Sequence, residues 1–169
     1  LLASLSDDDG NSCQGIFRFH SGTLENHLNT WLSVSIGHLS TLGYLNIHVN
    51  GIETDYTNLG GCEDISNTNN SNSLYVGSSS SNGSSNFIMN KVIMWGRYLN
   101  TNEILNNLTL DMIDNPEAWS MRAYWAIDEG LGNTISDDLH EGQTGYNGTI
   151  YGATWSTDVP FTPDYSLSF

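Results

Sequence analysis

The 169 residues carry 4 basic and 19 acidic side chains, a formal net charge of −15 at pH 7. That balance argues against a nucleic-acid partner, which needs Lys and Arg to neutralise phosphates, and against an anionic membrane surface. The length suits one domain with a real core, and no stretch approaches the roughly 20 apolar residues of a membrane span.

The first residues, Leu1-Leu2-Ala3-Ser4-Leu5, lack an initiator Met and a basic flank and are too short for a signal peptide. The chain is therefore expected to derive from something longer. Asp7-Asp8-Asp9-Gly10-Asn11 follows, with side-chain oxygens alternating at Asp7, Asp9 and Asn11. Hard cations favour such loops, but Ser12 and Arg18 stand where an EF-hand needs Gly and Glu. The competing reading is an exposed acidic turn. Cys13 and Cys62 are the only cysteines. In a secreted chain they form one disulfide; otherwise they are two buried thiols.

Gln14 to His20 reads as a strand. Trp31-Leu32-Ser33-Val34-Ser35-Ile36 alternates, which places Leu32, Val34 and Ile36 on one face. Leu45-Asn46-Ile47-His48-Val49 alternates in the same way and puts His48 on the outward, solvated face. Asn50-Gly51 follows at once and Ile52 opens another run. Asn-Gly accepts the positive φ angles of a type I′ turn, so a hairpin is expected there.

Asn67 to Asn86 is nearly all Ser, Asn and Gly, broken by a strand at Ser73 to Gly77. Phe87 to Trp95 reads as a strand. Asn100-Thr101-Asn102-Glu103 has the form of a capping box, with Ile104, Leu105 and Leu108 as the apolar stripe of a helix that Pro116 closes. Asn115-Pro116-Glu117 is the best internal boundary. Met121 to Ile127 and Tyr165 to Phe169 read as further strands.

Several of these segments resemble the laminin G-like family. Trp31 to Ser35 is similar to its "W-hydrophobic-x-V-x" strand, Tyr44 to Gly51 to its "L-x-I-x-V-N-G" hairpin, and Ser73 to Gly77 to its "L-x-I-G" strand. Met89 to Asn100 followed by Glu103-Ile104 resembles the family's last strand and terminal helix. Ala123 to Gly132, Asp137, Asn147 to Ile150 and Gly152 to Trp155 resemble instead the start of such a domain. The resemblance implies an all-β fold, an antiparallel jelly-roll β-sandwich of the concanavalin A-like type with one short helix. It also implies an extracellular or cell-surface location.

The motif order is permuted. Residues 1–115 resemble the C-terminal portion of the sandwich and residues 116–169 the N-terminal portion. In the family's order its central "F-T-I-x-x-W" strand would fall between Phe169 and Leu1, and it is missing. Either the chain is a permuted sandwich, or it is a slice across two copies of a repeat array. The slice is preferred, and in one version the head of one unit completes the sheet of another through unpaired strand edges.

The sequence assigns no catalytic residue. Glycoside hydrolases on this fold need two carboxylates about 5 to 9 Å apart. Glu63-Asp64 lies in a Ser/Asn loop, and Glu53 and Asp55 follow a hairpin tip. The histidines His20, His27, His38, His48 and His140 lack the spacing of a helical zinc site. In laminin G-like and pentraxin-like relatives a loop Asp and backbone carbonyls often hold a structural calcium. Asp137, with Asp138 beside it, matches that Asp, and the competing reading is a turn that Asp favours for its own bonding. Family acids are replaced by Asn90 and Lys91, so any ligand role at those positions does not carry over.

Asn69, Asn82, Asn107 and Asn147 each begin an Asn-x-Ser/Thr sequon. Trp31, Trp95, Trp125 and Trp155 match framework positions of the family, which implies core packing. Trp119 and Tyr146 have no such role and are candidates for binding sugar. The expectation is a non-catalytic interaction or structural module of a large extracellular glycoprotein. Its partners would be other copies or chains of the assembly and possible glycans, with no nucleic acid and no membrane insertion. A calcium-dependent, lectin-like carbohydrate-binding domain is the alternative.

Overall fold

The computed structural model describes residues 2–6, 12–17, 29–39, 44–53, 56–58, 74–76, 87–107, 118–140, 146–158 and 166–168. Within these the fold is mainly β, with small antiparallel sheets and one short helix. The chain divides into two compact units, Leu1–Asn72 with Arg97–Pro116, and Ser73–Gly96 with Glu117–Phe169. Residues 73–96 thus group with residues 117–169 and not with the rest of 1–115.

In the first unit, β1 (Leu2–Ser6), β2 (Ser12–Phe17) and β6 (Tyr56–Asn58) form one sheet in the order β1-β2-β6. A second sheet has the order β3-β4-β5, from β3 (Val34–Leu39), β4 (Tyr44–Val49) and β5 (Ile52–Glu53). Asn50 has φ 51° and Gly51 φ 76°, the paired positive angles of a type I′ turn. The Asn50 side chain lengthens the ladder: its Oδ1 accepts the Ser33 N–H at 3.0 Å, while the Asn50 N–H donates to Ser33 O at 2.9 Å.

Register places Val34, Val49 and Ile52 in one row across the sheet, and Ile36 opposite Ile47. Paired residues share a face, so these side chains form one apolar surface. Its centre is buried at Ile47 and Val49, with Leu32 packed against them. Val34 and Ile36 are each 45% exposed. They lie on the flanking strand, and only the central strand is covered on this face.

The opposite face corrects an expectation. His48 is not solvated; it is 2% exposed, and Asn46 beside it is equally buried. The cause is α1 (Thr101–Asn106), whose Thr101 Oγ1 lies 3.3 Å from His48 Nε2. The helix is positioned by its cap. Asn100 Oδ1 accepts from Asn102 N and Glu103 N, and Glu103 Oε2 accepts from Asn100 N at 2.8 Å. Arg97 grips the same carboxylate with two guanidinium nitrogens, at 2.8 and 3.1 Å. This fork, followed by the cap amide, holds the Glu103 carboxyl below its usual range. Gly51 lies so close to α1 that a Cβ there would run into Leu105 Cδ2 and Cγ.

In the second unit, β7 (Ile88–Met89), β13 (Ser166–Ser168) and β12 (Thr154–Ser156) form a sheet in the order β12-β13-β7. β8 (Val92–Trp95) pairs with β9 (Met121–Trp125), with a bulge between Met94 and Trp95. β10 (Thr134–Ile135) pairs with β11 (Gly148–Thr149). The run Phe87 to Trp95 is therefore two strands interrupted at Asn90 and Lys91. Residues 74–76, expected in a strand, are irregular and exposed. β9 stops at Trp125, two residues short of expectation, because Ile127 turns to φ 58°. That angle is uncommon for a β-branched residue, and Ile127 is held in it while only 1% exposed.

Candidate functional site

The site grows from the end of β9 in the second unit. Asp137 follows β10 and is 2% exposed, an unusual place for a carboxylate. A buried carboxylate needs donors, and three converge on it. Oδ1 accepts the Tyr124 N–H at 2.9 Å and the Leu139 N–H at 3.1 Å; Oδ2 lies 2.5 Å from His140 Nδ1. A one-turn 3-10 helix, Asp138–His140, brings His140 round to the carboxylate three residues back.

His140 in turn stacks on Tyr146, with ring centroids 4.9 Å apart and planes at 30°. The Tyr146 carbonyl accepts the Trp125 indole N–H at 2.8 Å. Asn147 completes the loop: its Oδ1 accepts the Asp137 N–H at 3.1 Å. One buried carboxylate thus ties together β9, the 3-10 turn and the loop entering β11.

A second set of acids lies alongside. Asp138 Oδ2 accepts the Ala126 N–H at 3.2 Å. Burial pushes the Asp138 carboxyl above its ordinary range; the Ala126 bond opposes this, and the charges of Asp128, Glu129 and Asp137 add to it. Glu129 Oε1 accepts the Ser136 N–H at 2.5 Å, while its Oε2 is buried with no hydrogen-bond partner among the described residues. Such an orphaned oxygen is costly unless something meets it.

The structure brings together four residues singled out separately in the sequence: Asp137, Asp138, Tyr146 and Asn147. It leaves Trp119 apart from them, on the 3-10 turn Ala118–Ser120 that enters β9, whereas Trp125 at the other end of β9 meets Tyr146. Trp119 is 76% exposed. Asn107 sits at the C-cap of α1 in the first unit, where its Nδ2 donates to Glu103 O at 2.6 Å. Asp7, Asp9, Asn69, Asn82 and Cys62 lie outside the described residues, so the Cys13–Cys62 disulfide and the first acidic turn do too.

Sequence reasoning missed His140 and Glu129. The only local signal for His140 is its place three residues after Asp137, on the same side of a helical turn. Glu129 gives no signal, since its burial depends on Ser136 folding back on it. Also missed is the exposed pair Leu131 and Tyr151, on adjoining turns that the bond from Ile150 N to Asn133 O fastens together.

For a metal, both Asp137 oxygens already have close partners, whereas Glu129 Oε2 has none among the described residues. Among the described residues no group of three or more His, Cys, Asp or Glu is arranged to hold a metal ion. No described helix is long and apolar enough to cross a membrane. Comparison with protein-family models, curated proteins and solved structures finds no match to this chain.

Proposed function

We propose that the chain is a non-catalytic interaction or structural module of a large extracellular glycoprotein, built on a concanavalin A-like jelly-roll and docking to other copies or chains. The observation that carries this reading is the contrast between two kinds of side chain in the second unit. The buried Asp137 fastens two backbone amides and the His140 ring, which suits a scaffold. Large apolar side chains stand exposed on its turns, with Trp119 at 76%, Leu131 at 76% and Tyr151 at 83%. Exposed apolar groups of this size suit contact with another macromolecule.

The test is sedimentation velocity of the purified chain across a wide concentration range. Association is expected, and Tyr151→Ser combined with Trp119→Ser is expected to weaken it. A chain that stays monomeric at every concentration would sink the reading.

Calcium-dependent carbohydrate binding is the second reading, favoured by one observation: the unpartnered Glu129 Oε2 beside the Asp138 carboxyl. Oxygen donors on loops are what calcium takes. Tyr146, half-exposed at the same loop, would offer a ring face to a sugar. A glycan-array signal abolished by chelation would favour this reading over the first.

A further inference from the structure

We propose that Asn147, and not Asn107, is the sequon that carries an N-linked glycan on the folded protein, with the first sugar set against Tyr146. This rests on the extracellular reading, since the glycan is added in a secretory pathway. In the reaction Asn147 Nδ2 attacks the anomeric carbon of a polyprenyl-diphosphate-linked oligosaccharide. The new bond is N–C, the bond broken is that carbon to phosphate oxygen, the polyprenyl diphosphate leaves, and Nδ2 gives up one proton. Transfer takes place on the extended chain, so the fold acts afterwards, by deciding which substituted side chain the closed domain accommodates.

At Asn107 the amide is already committed to the end of α1. The residue is half-buried at the end of α1, its Nδ2 donates to Glu103 O at 2.6 Å, and its backbone N–H caps the same turn. A sugar on Nδ2 replaces one of its two hydrogens and would sit against that 2.6 Å contact. At Asn147 the two ends of the amide are separated. Oδ1 points inward, accepting from the Asp137 N–H, and an N-linked Asn keeps that oxygen as an acceptor. Asn147 and Thr149, the third sequon residue, are both exposed. The preceding residue, Tyr146, has one ring face against His140 and is 53% exposed, leaving an aromatic surface beside the attachment point.

The test is expression of the chain through a eukaryotic secretory pathway, followed by glycopeptide mass spectrometry of the secreted, folded protein at each sequon. Chains that carry sugar at half-buried Asn107 are expected to fold poorly and be lost before secretion, so the secreted protein should show several-fold higher occupancy at Asn147 than at Asn107. Thr149→Ala should remove the Asn147 glycan and leave folding intact, because the Asn147–Asp137 bond remains. Equal occupancy at the two sites, or a bare Asn147, overturns the proposal. Unglycosylated chain made in bacteria serves for the association measurements above, so a failed module reading and a failed glycan assignment give separate results.

Discussion

Replacing Asp137 by Ala removes the acceptor at the centre of the second unit. Two backbone N–H groups, those of Tyr124 and Leu139, and the His140 imidazole then lose their partner in a place that is 2% exposed. Each buried donor left unmatched costs about 1 to 3 kcal/mol. With two amides left unmatched, the expected loss for Asp137→Ala is about 2 to 6 kcal/mol. Asp137→Asn keeps an oxygen for both amides and changes only the group facing His140, so it should cost on the order of 1 kcal/mol. The measurement is urea unfolding followed by Trp fluorescence, with Trp125 as the reporter because its indole N–H is bonded into the same loop. Equal losses for the two variants, or a loss under about 1 kcal/mol for Ala, would refute the argument that the carboxylate is the organising acceptor.

In the first unit, Gly51→Ala should be destabilising on two counts. Its φ of 76° costs a side chain about 1 to 2 kcal/mol, and the new Cβ meets Leu105. Adding Leu105→Ala should restore the steric part and not the conformational part, which a double-mutant cycle in urea separates. The Asp138 carboxyl supplies a pH test. Burial raises its folded value above the unfolded one, so between the two the folded state holds more protons. Stability of the second unit should therefore fall as pH rises from the ordinary carboxylate range through the raised value. Asp138→Asn should flatten that slope and leave the unit more stable at neutral pH; an unchanged slope in unfolding midpoints against pH would count against the assignment.

The local devices were legible because each is written within a few adjacent residues. Asn50-Gly51 encodes its turn through two residues that tolerate positive φ. Asn100 and Glu103 encode the helix start through side chains that reach only the neighbouring amides. Alternation fixed the faces of β3 and β4, and the register confirms that Val34, Ile36, Ile47 and Val49 share one. The candidate site was legible in pieces: Asp137, Tyr146 and Asn147 each stood out for a different reason, and nothing in their spacing announced that they meet.

What only the tertiary structure decided depends on partners distant in sequence. Whether an outward-facing residue is wet depends on what lies over it, and α1, 53 residues further on, covers His48. Val34 and Ile36 have the right face and lack the cover, because they flank the central strand. Ile127 leaves the strand pattern of its own sequence to take a positive φ while buried. The pairing of β8 with β9 and of β7 with β13 groups residues 73–96 with the end of the chain. By itself the sequence determined turns, caps and face alternation, whose energetics are local. The tertiary structure determined burial, and with it the meeting of a carboxylate, an imidazole and a sequon at one loop, because a buried charge is stable only where the fold gathers donors around it.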